Sequence, residues 1–199
     1  MRWRFDGWIA GLGTRSGTRI VLGHWPRSPL GAFSDVMVER PDGHRVLLAP
    51  SGEVAEFVGA TYRFDEVRTV PVRVTTGARW RVEAGPLRMC FVPGRRGVLG
   101  VLLRGVPPPL ARMPAWIAVI DRPARMLLPG VRTRGSAGNG RREWYGAQDL
   151  RPITEVRAGW NGADLGGLAE VSPPVRFGFG SVPPRPALVR VTTTVSAGP

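Results

Sequence analysis

The stretch "RSPLGAFSDVMVERPDGHRVLLAP", Arg27 to Pro50, decides the fold of this 199-residue chain. Two runs rich in apolar and β-branched residues, Phe33 to Arg40 and His44 to Pro50, flank Pro41-Asp42-Gly43, and Asp-Gly tolerates the positive φ that a tight hairpin demands. On the first of these strands, Phe33, Asp35, Met37 and Glu39 alternate onto one face while Ser34 and Val36 point to the other. A carboxylate beside Phe33 and Met37 is expected to lie inside the fold. An enclosed charge needs a partner, and arginine is the abundant one.

The flanking sequence extends the β pattern in both directions. Upstream, Arg2 to Leu12 and Thr18 to Trp25 read as strands divided by the turn residues "GTRSG". Downstream, Ser51 is placed to cap a helix whose Val54, Phe57, Val58, Thr61 and Tyr62 recur at helical spacing. Three alternating runs, "VRTVPVRVT", "ARWRVEA" and "LRMCFV", then predict an antiparallel meander from Val67 to Val92, with Pro71 confining the first run to an edge or a bulge. Between Gly94 and Arg142 ten arginines face one acid, Asp121, and two apolar stretches read as short helices parted by prolines. "RGSAGNGRR" reads as a loop, and "EWYGAQDLRPITEVRAGW", "PVRFGFGS" and "ALVRVTTTV" as strands. The expected fold is mainly β (α+β): one domain over residues 1–199, an antiparallel and closed or nearly closed β-barrel with a few decorating helices, and a basic, partly helical excursion at 94–142.

Composition narrows the function classes. All 28 basic residues are arginine, and the net charge of +13 provides a cationic surface toward nucleic acid, anionic lipid or acidic small molecules. The arginines are dispersed across strands without a helix-turn-helix, zinc or aromatic stacking signature, so a specific nucleic-acid partner is not expected. The single cysteine, Cys90, cannot form an internal disulfide and alternates into an apolar run, where a buried thiol is expected. Neither a secretory leader nor an apolar membrane span is read, which predicts a cytoplasmic protein.

"SPLGAFSD", the hairpin, the helix "SGEVAEFV", "RMLLPGVRTRGSAGNGRREW" and "AGWNGADLGGL" occur in an order that resembles the acetoacetate decarboxylase superfamily over nearly the whole chain. The resemblance implies a cone-like antiparallel barrel with a buried pocket, and a family carboxylate that falls on Asp35. It also implies a Schiff-base lysine on the helix near Gly59 and Ala60. Neither position is lysine and the chain has none, so that amine chemistry is absent.

The candidate catalytic residues are therefore Asp35 and His24, the latter one strand earlier and suited to proton transfer near neutral pH. Trp25, Phe33, Phe57 and Tyr62 are the expected aromatic lining. Arg142, Glu143 and Tyr145, within "GRREWYGAQD", offer a carboxylate clamp beside aromatic rings. No metal site and no cofactor motif is read, and His44 is expected at the surface. The leading expectation is an interior site for a small carboxylate or polar-headed apolar ligand, without Schiff-base decarboxylation. Alternatives are an acid/base lyase or hydratase using Asp35 and His24, and a peripheral membrane protein using the 94–142 region. An anionic membrane surface and a second copy of the chain are the further partners left open. Treatment with acetoacetate and borohydride should yield no side-chain adduct by peptide mapping, because the N-terminal amine is the only amine present.

Overall fold

The computed structural model describes residues 2–107, 134–136, 141–178 and 182–196. In chain order these form β1 (Arg2–Thr14), β2 (Arg19–Arg27), β3 (Phe33–Glu39), β4 (Arg45–Ala49), α1 (Gly52–Thr61), β5 (Glu66–Thr69), β6 (Val72–Thr75), β7 (Trp80–Ala84) and β8 (Leu87–Pro93). There follow α2 (Val98–Gly105), β9 (Arg134–Ser136), β10 (Arg142–Trp160), β11 (Ala163–Asp164), β12 (Leu168–Ala169) and β13 (Ala187–Ser196).

The strands share one sheet ordered β5-β4-β3-β2-β1-β13-β10-β8-β7-β6, with β9 and β11 added to β10 and β12 to β1. β10 joins the two halves. Its first part, Arg142 to Pro152, pairs with β13, and its second, Ile153 to Trp160, pairs with β8. The β6–β8 half packs over β1–β4 around the main core, which takes Ala10, Leu12, Ile20, Leu22, Val36 and Val38 from one side and Trp80, Val82, Met89 and Phe91 from the other.

The β3–β4 hairpin turns where Asp42-Gly43 predicts it, with Gly43 at φ 86° and its N–H donating to Arg40. Ser51 caps α1, its side chain accepting from the Val54 N–H at 3.3 Å. Of the expected closed or nearly closed antiparallel barrel, the mainly β fold is found, but in a sheet that is neither closed nor wholly antiparallel. α1 connects β4 to β5 as a crossover, so those strands run parallel and the sheet is mixed. Pro71 lacks the N–H a continuous strand would need, and the run around it divides into β5 and β6, the two ends of the sheet path. The sheet is not closed by pairing between them.

Three local readings change as well. The described part of "PVRFGFGS", Pro174 to Gly178, is not a strand: residues 171–178 run as irregular chain, since Pro173 and Pro174 cannot donate to a ladder. Residues 134–136 of the expected glycine loop pair with β10. Cys90 is half-buried rather than buried, on the outward face of β8, with Arg79 Nη1 3.9 Å from its sulfur. Within the basic excursion α2 is helical as read, with Val98 78%, Val101 60% and Leu102 62% exposed. The second apolar stretch, 115–129, lies outside the described residues. No described helix is long and apolar enough to cross a membrane.

Segment 171–178 is held by Glu39, which is fully buried. Its carboxylate meets Arg19 Nη2 at 3.2 Å and Arg176 Nε at 2.8 Å, and accepts the Arg176 backbone N–H at 2.7 Å. Glu39→Ala leaves the buried Arg19 guanidinium without its counter-charge and should cost roughly 3–5 kcal/mol, read as a lowered urea midpoint.

Candidate functional site

The face of β3 that carries Phe33, Asp35 and Met37 is turned away from the main core, toward α1. Register places Gly23 of β2 opposite Asp35, and Trp25 opposite Phe33. A Cβ at Gly23 would lie 2.4 Å from Asp35 Oδ1 and 2.5 Å from Trp25 Nε1, so glycine there makes the room in which these two meet. The Trp25 indole N–H donates to Asp35 Oδ1 at 3.1 Å. Among the described residues no arginine meets Asp35; an indole N–H stands in the place expected for one.

Asp35 is fully enclosed, and burial pushes its carboxyl up to about 7, against the weaker opposing pull of the Trp25 and backbone hydrogen bonds. A second carboxyl behaves alike. Glu143 is also pushed up to about 7 by burial, opposed by Tyr145, Tyr62 and the Arg141 charge. Tyr62 donates to Glu143 Oε1 at 3.0 Å and Tyr145 to Oε2 at 2.9 Å, while the two phenol oxygens lie 2.8 Å apart. Burial and the neighbouring carboxylate raise the Tyr62 hydroxyl well above its ordinary value, so it stays a neutral donor.

Asp35 and Glu143 line one cavity of about 40 Å³. Four strand steps separate β3 from β10 along the sheet, and at about 4.8 Å each a flat sheet would hold these residues on the order of 19 Å apart. Sharing a cavity so small requires the sheet to curl around it. α1 covers the opening with Phe57, Val58, Thr61 and Tyr62, and Phe5, Trp25 and Phe33 supply apolar wall. Arg141 is stacked over the outer side of Phe57, 4.8 Å from the ring centroid, and Arg141 Nη1 donates to Thr61 Oγ1 at 2.7 Å.

Of the residues read from sequence, Asp35, Trp25, Phe33, Phe57, Tyr62 and Glu143 line this cavity, with Tyr145 bonded to Tyr62 and Glu143. Two are placed elsewhere. His24 pairs with Ser34 on the main-core side of β2, its Nδ1 2.8 Å from Ser34 Oγ and its ring edge-on to Trp80. Adjacent strand residues face opposite ways, so His24 and Asp35 cannot act as a pair. Burial also lowers the His24 pKa. Arg142 is exposed, because the same alternation that turns Glu143 and Tyr145 inward turns it out. His44 is partly exposed beside Glu66.

The sequence reading missed Thr193. It is 4% exposed, lines the cavity, and its Oγ1 has no hydrogen-bond partner among the described residues. The signal was in "VTTTV", where period-two alternation groups Thr193 with Val191 and Val195, both buried against Phe5 and Trp25.

No family model and no curated protein matches this chain. A solved structure from Nitrosomonas europaea, provisionally designated AttH, aligns at 11% identity and a TM-score of 0.27, over 98% of this chain and 50% of that one. The chain thus spans half the length of that protein.

The direction of the Asp35 shift fixes its effect on stability. A carboxyl raised on folding favours the folded state fully below its unfolded value of 3.8, and that contribution is lost as pH rises to about 7. Asp35→Asn has no such charge to bury. Its stability relative to the natural chain should therefore increase between pH 4 and 8, by roughly 4 kcal/mol at most, read from urea unfolding across that range.

Proposed function

We propose that the cavity under α1 is an acid–base site acting on a small, neutral, polar-headed apolar molecule, with Asp35 and Glu143 as the two proton-transfer groups. The observation that carries this is the pair of buried carboxyls, each held near pH 7, on one cavity. Proton transfer is most efficient when the group's pKa matches the working pH, and ordinary surface carboxyls are far from that. Net charge alone favours an anionic ligand. The cavity favours a neutral one, since two acids and, among the described residues, no arginine line it.

The parts suit proton abstraction beside a carbonyl. The ionised carboxyl takes a proton from carbon, the protonated one gives its proton to the carbonyl oxygen, and an enol forms with no redox change. The Thr193 hydroxyl supports this reading as an anchor for the polar head, because a buried unpaired hydroxyl costs about 1–3 kcal/mol that a bound oxygen or nitrogen would relieve. The acetoacetate decarboxylase-like, barrel-forming assignment belongs to the same proposal, as a member without the lysine. As a second reading, the exposed Val98, Val101 and Leu102 of α2, between Arg96 and Arg104, favour contact with an anionic membrane surface.

The test is deuterium exchange at the α-carbon of short neutral ketones in D₂O, followed by NMR. Exchange needs one carboxyl protonated and one ionised, so the rate should peak near pH 7 and fall on both sides. Asp35→Asn and Glu143→Gln should each lower it by about 10²–10⁴-fold. Exchange unaffected by both substitutions, or none from a folded protein that binds the ketones, overturns the proposal.

A further inference from the structure

A second cavity of about 40 Å³ lies behind the first. Ile9, Val21, Met37, Val175 and Phe177 line it, so it is apolar where the first is acidic. Tyr62 lines both cavities and is the partition between them. Tyr145, its hydrogen-bond partner, lines the second and bonds onward to Glu143 in the first. The Tyr62 backbone is fixed where α1 ends, its N–H donating to the Val58 carbonyl at 2.9 Å. Its side chain borders both spaces.

Each cavity is far below the roughly 300 Å³ at which ligand pockets begin. Displacing the Tyr62 ring joins them and adds the volume the ring now fills. The phenol is held in place by hydrogen bonds at 2.8, 3.0 and 3.1 Å, to a tyrosine and a carboxyl that the first cavity's chemistry itself engages. A polar head that binds Glu143 therefore competes for the contacts that keep the partition closed.

Resting on the acid–base reading above, we infer that the substrate is a short-chained amphiphile: its neutral head meets Asp35, Glu143 and Thr193, and its apolar arm displaces the Tyr62 ring and fills the second cavity. Length selectivity then resides in β1, β2, β3 and segment 171–178 rather than among the acids. A head without an arm would fill the first space and leave Tyr62 in place.

The experiment measures affinity for 2-alkanones of increasing chain length by ligand-observed NMR, alongside their α-exchange. Each methylene that enters an apolar cavity should tighten binding about fourfold, and the rise should stop once the second cavity is full. Val21→Phe and Val175→Phe, made separately so that one folded variant suffices, should flatten the series by occupying that cavity. Tyr62→Ala should extend the rise to longer chains. Affinity independent of chain length in the natural protein, with exchange at Asp35 and Glu143 intact, overturns this inference and leaves the acid–base reading standing. A series that rises and is flattened by the two substitutions, with no exchange, supports the two-cavity site and removes the acid–base reading. A rise that neither substitution alters in a folded variant also overturns the inference, because the arm then lies elsewhere.

Discussion

Strands β1 to β4 meet packed neighbours on both faces, the β6–β8 half of the sheet on one side and α1 with segment 171–178 on the other. A strand in that position has no solvated face on which to put a polar residue, so each acid on β3 must be neutralised, paired or protonated. β2 supplies two solutions. Where it offers Arg19, opposite Glu39, a buried ion pair forms and carries segment 171–178 through Arg176. Where it offers Gly23, opposite Asp35, the space is taken by the Trp25 indole, which donates a hydrogen bond without supplying charge.

That contrast, four residues apart on one strand face, separates an ion-paired acid from one met only by a neutral donor. Glu39 on this sheet and Asp149 on β10 are each met by arginine, the latter by Arg96 at 2.8 Å. Such pairs cost much to break, and their carboxylates are already committed to a counter-charge. Asp35 and Glu143 are met by indole and phenol donors, which stabilise the anion too little to offset burial. The arginine excess is thus partly architectural. Arg19, Arg96, Arg151 and Arg176 use the planar guanidinium fork on carboxylates and on carbonyl ends that the irregular sheet leaves open, as with Arg151 on the Pro93 and Gly94 carbonyls.

Local signals carried most of what was legible in the sequence. The Asp42-Gly43 turn, the Ser51 cap and the alternation of Phe33, Asp35 and Met37 each depend on residues within a few positions of one another, and each appears in the structure. The wrong readings turn on register or distance. His24 and Trp25 are neighbours, and only the pairing of Gly23 with Asp35 decides which of them shares the carboxylate's face. Arg142 and Glu143 present the same choice, since the alternation of "REWY" shows that Glu143 and Tyr145 point together but not which way. The parallel β4–β5 pair and the separation of β5 from β6 depend on how α1 packs, which no local pattern specifies. The meeting of Tyr62 with Glu143, 81 residues apart, depends on the same packing.

α1 presents Phe57, Val58 and Thr61 to the cavity, with Tyr62 at its C-terminal cap. A Cβ on Gly59 would meet nothing within 4 Å. The positions that face inward are filled by two aromatic rings, a valine and a threonine. Those side chains remove water from the carboxyls without supplying a counter-charge. That exclusion is the means by which an ordinary carboxyl acquires a proton affinity near neutral pH.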